Sequence, residues 1–131
     1  MIKSAELRGL TLDTGALIAV ERGDERLRQM LRFAQRASLA IDVPAGAVAQ
    51  AWRGGPRQAR VAQLLAQPEV RIPALDGISA RAVGRLCGVS GHPDVIDVHV
   101  ALHATEMGHH VVTSDPDDIR AVNPSLPVIA I

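Results

Sequence analysis

Asp13, Asp97 and Asp115 are the residues of this sequence whose type and placement could do chemistry. Asp13 closes the apolar stretch "LTL" and opens "DTGALIA", Asp97 opens the helical pattern "DVHVALHA", and Asp115 ends "VVTSD". Each stands at an expected boundary between elements, so three carboxylates from distant segments could converge on one cation. Without that cation, their repulsion within a few ångströms would raise at least one pKa and cost stability. Carboxylates without paired cysteines suit Mg²⁺ or Mn²⁺ better than structural zinc. Such an ion can polarise a phosphodiester and generate hydroxide, alone or as a pair about 3.5–4 Å apart.

Asp94, Asp117 and Asp118 crowd the same two segments. Each acid also has an ordinary structural explanation. Asp94 and Asp97 complement a helix dipole, worth about 0.3–1 kcal/mol each. Asp115 can cap the turn that begins at Pro116, and Asp117 and Asp118 suit a solvated first helical turn.

The elements that must position these acids are legible in the hydrophobic pattern. "LRGLTLD" reads as a strand, "TGALIAVERG" as a helix stopped by Gly23, and "ERLRQMLRFAQRA" as a second helix capped by Asp24. "SLAIDVP" is a strand, Pro44 starts the helix "AGAVAQAWRG", and Pro56 opens "RQARVAQLLAQ". "EVRIPAL" is a third strand leading through Asp76 into "ISARAVGRLCGVS". Pro93 precedes the helix "DVIDVHVALHATEMG", which Gly108 closes. "HHVVTSD" is a strand, "PDDIRAV" a helical turn and "PVIAI" a last strand. Alternating strands and helices, with strands too apolar for a one-sided sheet, predict an α/β fold with a parallel sheet covered on both faces. Ligands of such sheets gather at strand carboxyl ends, where Asp13 and Asp115 fall.

The 131 residues, 47% hydrophobic, suit a single domain spanning 1–131. Phe33 and Trp52 are the only aromatics beyond histidine, so the core must be aliphatic. Fourteen basic and fourteen acidic residues balance to zero, which argues against a nucleic-acid coat or a membrane-surface protein and leaves such partners to a local patch. The single cysteine, Cys87, excludes an internal disulfide. With no signal-like N-terminus and no apolar run near the ~20 residues of a membrane span, a soluble, cytoplasmic protein is expected.

The ordered set "LDTGALIA" at 12–19, "VPAGAVAQAWRGG" at 43–55, "DVIDVHVALHA" at 94–104 and "VVTSDPDDI" at 111–119 resembles the PIN-domain ribonucleases, particularly the VapC-like toxins of bacterial toxin–antitoxin pairs. The resemblance covers nearly the whole chain. It implies a three-layer α/β/α fold around a mostly parallel sheet of about five strands, and an acidic pocket that holds Mg²⁺ or Mn²⁺ and cleaves RNA. The family's acids fall on Asp13, Asp97 and Asp115, with extra acids at Asp94 and Asp118. Thr14 and Thr113 fall where a hydroxyl lies beside the metal pocket. The resemblance further implies a cognate antitoxin protein and a homodimer. The sequence departs from the pattern at Gln50, where many members carry a catalytic glutamate. An amide is a weaker ligand, cannot act as a base, and removes about one negative charge from the pocket. A PIN-fold RNA- or protein-binding module with weak or no catalysis is therefore the alternative. A phosphoryl-transfer enzyme with Asp13 as nucleophile ranks last, because Gly15 stands where a second aspartate is expected.

Arg53, Arg57 and Arg60, beside Trp52 and two glycines, offer an RNA grip of guanidinium groups and one stacking ring, or else a solvated helix face with Trp52 in the core. Arg81 and Arg85 are weaker candidates. Glu21 and Asp42 are acids that could compensate for Gln50, although nothing in the sequence aims them at the pocket. His99 and His103, four apart, have the spacing of a zinc pair but lack a third ligand. His92 falls beside a helix start, and His109 and His110 at a strand entry.

Overall fold

A computed structural model describes residues 7–131. The order of elements is β1 (Gly9–Leu12), α1 (Thr14–Glu21), α2 (Glu25–Arg36), β2 (Ala40–Asp42), α3 (Ala45–Ala51), α4 (Ala59–Leu65), β3 (Val70–Arg71), α5 (Gly77–Ser90), α6 (Val95–Met107), β4 (His110–Thr113), α7 (Pro116–Val122) and β5 (Val128–Ala130). Every expected element is present. A 3-10 turn over Pro56–Gln58 delays α4, and β3 is only two residues long. Pro73, two residues past β3, has no N–H to extend a strand ladder.

The five strands lie in the order β3-β2-β1-β4-β5, and every pairing is parallel. The sheet is thus wholly rather than mostly parallel. Neighbouring residues of a strand face opposite layers. Leu10, Leu12, Ile41 and Val112 join a core with Leu17, Leu27, Leu31, Val61 and Leu64, from α1, α2 and α4. Val111 points the other way, into a core with Val83, Val98, Ala101, Ile119 and Val122, from α5, α6 and α7. This is the three-layer α/β/α arrangement.

Four helices begin on an aspartate whose carboxylate accepts a backbone N–H of the first turn: Asp13, Asp24, Asp76 and Asp94. Left-handed Gly91 and Gly108 close α5 and α6. Gly15 serves a close approach, since a side chain there would run into Ser114. The start of α1 is thereby pressed against the turn that follows β4. Among the described residues no helix is long and apolar enough to cross a membrane.

Candidate functional site

The strand order reverses between β1 and β4, which hydrogen-bond side by side while their next neighbours run outward to either edge. A crevice at the carboxyl ends of these two strands is where a parallel sheet binds ligands. Asp13 leaves β1 there, its N–H donated to the Val112 carbonyl at 3.2 Å. Asp13 is buried, and its Oδ1 accepts the Ala16 N–H at 2.8 Å. Thr113 ends β4 fully buried. Its hydroxyl hydrogen-bonds the Asp13 carboxylate and accepts the Asp115 N–H at 2.8 Å. One threonine thus ties the first acid to the backbone of the third.

The charges of Asp97 and Asp115 both reach Asp13, and that of Asp115 reaches Asp97, although the three are not a group whose ligand atoms all fall within 4.8 Å of one another. Burial, and then the charges of Asp97 and Asp115, hold the Asp13 carboxyl above the usual range, against the hydrogen bonds from Thr113 and Ala16. Burial likewise leads in raising Asp97, with Asp94 and Asp115 adding to it and His92 opposing. For half-buried Asp118 the leading cause is a hydrogen bond with the Asp115 carboxyl, so its pKa is raised as well. Buried carboxyls raised further by neighbouring acids are what a bound divalent cation would relieve.

Asp115 stands at the N-terminus of α7 but makes no side-chain capping bond. The capping role that the sequence allows is therefore not what its carboxylate does. Asp94 does cap: its Oδ1 accepts the N–H groups of Ile96 and Asp97 at 2.9 and 3.1 Å. Thr14, the residue after Asp13, donates to the side-chain oxygen of exposed Gln50 on α3. Asp117 is exposed.

His92 received no role from the sequence. Its Nε2 lies 3.0 Å from Asp97 Oδ2, and ligand atoms of His92, Asp97 and Asp118 all fall within 4.8 Å of one another. The available signal was "HPD" before the helix, a turn that folds the ring back over the first turn of α6. The donor set of carboxylates and one imidazole fits Mg²⁺ or Mn²⁺.

Other expectations fall elsewhere. Asp42 is fully buried and gripped by Arg71, at 2.9 Å to each oxygen, and by His103 Nε2 at 2.7 Å. Glu21 accepts from the buried Gln58 amide. Neither acid is thus spare to replace a glutamate at Gln50. His99 and His103 do not form a zinc pair: their rings meet edge-on at 6.5 Å, and His103 turns to Asp42 and His109. Trp52 is exposed rather than buried in the core. Arg53 wraps back to the Ala49 and Trp52 carbonyls and Arg60 reaches the Glu21 carbonyl, so these two guanidinium groups serve separate helix ends. Arg57 is exposed on the turn between them.

No family model matches this sequence, and no curated protein matches it. Solved structures do match. The chain is similar to a chain of VapBC2 from Rickettsia felis, solved bound to a DNA fragment from its promoter, with a TM-score of 0.69, 15% identity, and coverage of 93% of this chain and 98% of that one. FitAcB from Neisseria gonorrhoeae matches with a TM-score of 0.60, 20% identity, and coverage of 92% and 96%. FitAB bound to an IR36 DNA fragment matches at 0.61 and 17%, covering 92% and 94%. At these identities the likeness is one of fold, and it is the fold implied by the PIN-domain resemblance.

Proposed function

We propose that this chain is a metal-dependent endoribonuclease, the toxin half of a toxin–antitoxin pair. The observation that carries this reading is that burial and neighbouring acids raise the Asp13, Asp97 and Asp118 carboxyls, with Asp115 among the causes for all three, at the point where the strand order reverses. Asp13, Asp97 and Asp115 would hold Mg²⁺ or Mn²⁺, with Asp118 and Asp94 in support. A divalent ion bound there polarises a phosphodiester and lowers the pKa of its water. The residues supply rigidity: Asp13 is fixed by its helix cap, Thr113 sets the spacing to Asp115, and Thr14 orients Gln50. Exposed Trp52 would stack an unpaired base, while Arg53, Arg57 and Arg60 contact phosphates over a wider span than one cluster.

The partners proposed are RNA as substrate, an antitoxin protein, and a second copy of the chain, in the cytoplasm. Protein freed of any antitoxin should cleave RNA when given Mg²⁺ or Mn²⁺, and Asp97→Asn should lower the rate about a hundredfold or more. Equal cleavage by that variant would remove the assignment.

The Thr14–Gln50 bond favours a second reading, in which the pocket is closed by an amide and the chain binds RNA or protein without turnover. That reading predicts binding without cleavage at any divalent-ion concentration.

A further inference from the structure

His92 belongs to the short bend between two helices, and the bend is built to hold it. Left-handed Gly91 ends α5, and the Ser90 hydroxyl accepts the His92 N–H at 3.2 Å. Pro93 and the cap residue Asp94 then start α6. The imidazole consequently leans over the first helical turn, with its side chain only 13% exposed against 23% for Asp97. A His–Asp hydrogen bond alone would need just these two residues. A third group, Asp118 from α7, brings its carboxylate to the same place, with ligand atoms of all three within 4.8 Å.

The spacing suits coordination. A hard divalent ion holds its ligands at about 2.1 Å, so adjacent octahedral ligands lie about 3 Å apart. The 3.0 Å between His92 Nε2 and Asp97 Oδ2 matches such an edge. Binding through Nε2 would leave the ring proton on Nδ1 and exchange the bond to Asp97 for a shared ion.

We infer that His92 is a nitrogen ligand of the divalent-ion site and that it makes this chain favour Mn²⁺ over Mg²⁺. Imidazole suits transition ions, whereas Mg²⁺ prefers oxygen and keeps its water. The inference rests on the reading that the aspartates hold a divalent ion.

The test is electron-spin-echo spectroscopy of the full chain loaded with Mn²⁺, beside calorimetric titrations with Mn²⁺ and Mg²⁺ of wild type, His92→Ala and His92→Gln. The expected spectrum shows nitrogen-14 modulation from a coordinated imidazole, absent in both variants. Mn²⁺ affinity should fall about tenfold or more in the variants, and Mg²⁺ affinity by much less. Mn²⁺ bound without nitrogen modulation overturns the inference and leaves the carboxylate site intact, as does modulation that persists in His92→Ala. Absence of Mn²⁺ binding to wild type overturns the inference and the proposed nuclease together. A wild-type spectrum without nitrogen modulation overturns the inference even where a variant folds poorly, and His92→Gln, the milder change, separates His92 from the histidines beside Asp42.

Discussion

The Thr14 hydroxyl, one residue past the buried Asp13, donates a hydrogen bond to the side-chain oxygen of Gln50 on α3. Gln50 is thereby tied to the residue that follows Asp13, with its acceptor occupied. The Gln50→Glu substitution would keep the acceptor for Thr14 and add one negative charge on α3, across from Thr14 at the start of α1. Cleavage of RNA in Mn²⁺ should then rise about tenfold or more, because the added carboxylate can act both as ligand and as base. An unchanged, near-zero rate would favour the binding-module reading.

Asp13→Asn should stabilise the protein in the absence of divalent ions. The carboxyl is buried beside Asp97 and Asp115, so its ionised form costs stability at neutral pH, while the amide oxygen of Asn can still accept the Ala16 N–H. A gain of roughly 1 kcal/mol corresponds to a rise of about 3–6 °C in Tm for a domain of this size. Mn²⁺ should raise the Tm of wild type and leave the variant nearly unmoved. A metal-free variant that melts below wild type would show that the repulsion is not the dominant force at this site.

Asp42 makes a separate prediction about the fold. Its carboxylate, wholly buried, ties β2 to Arg71 on β3 and to His103 on α6. Removing one member of a buried ionic network costs about 3–5 kcal/mol, and Asp42→Ala should lie near the lower end because the Arg71 side chain is 54% exposed and can be rehydrated. Arg71→Ala strips the buried carboxylate of its guanidinium partner and should lie higher in the same range. Chemical denaturation of the two variants checks the order, and a smaller loss in Arg71→Ala would contradict it.

Stability should also depend on pH through the same cluster. Burial, ahead of the neighbouring charges, holds the His109 and His99 imidazoles below their ordinary range, so the unfolded chain binds more protons as pH falls through about 6.5. Their contribution to stability is therefore present at neutral pH and lost in mild acid. Asp42 loses its contribution lower still, because its hydrogen bonds from His103 and Arg71 outweigh burial and keep its folded pKa below the ordinary value. Asp13 and Asp97, raised in the folded state, act with the opposite sign. Denaturant midpoints at pH 7.5 and 5 should fall less in His109→Gln than in wild type. Identical slopes would remove His109 from the account.

The architecture was open to reading because its signals are local. Apolar strand runs, the Asp24 cap and the glycine stops at Gly23 and Gly108 mark the elements one by one, and parallel pairing follows from their alternation. The positions of Asp13 and Asp115 at strand ends and of Asp97 in a first helical turn were legible for the same reason, and their shared role is the proposal. His92 was not legible, because its contact with Asp97 depends on the angle at which Gly91 and Pro93 turn the chain. The Asp42 network was equally hidden: its partners at Arg71, His103 and His109 come from three other places in the sequence. A polar pair, Thr11 and Asp42, set in register inside otherwise apolar strands, was the one trace of it.

The central claim is that the aspartates at the β1 and β4 ends share a divalent cation, and calorimetric titration with Mn²⁺ tests it most directly. Wild type should bind the ion with measurable heat, and Asp115→Asn should bind it about tenfold more weakly or worse. No heat from folded wild-type protein up to millimolar Mn²⁺, or equal affinity in Asp115→Asn, would contradict the account.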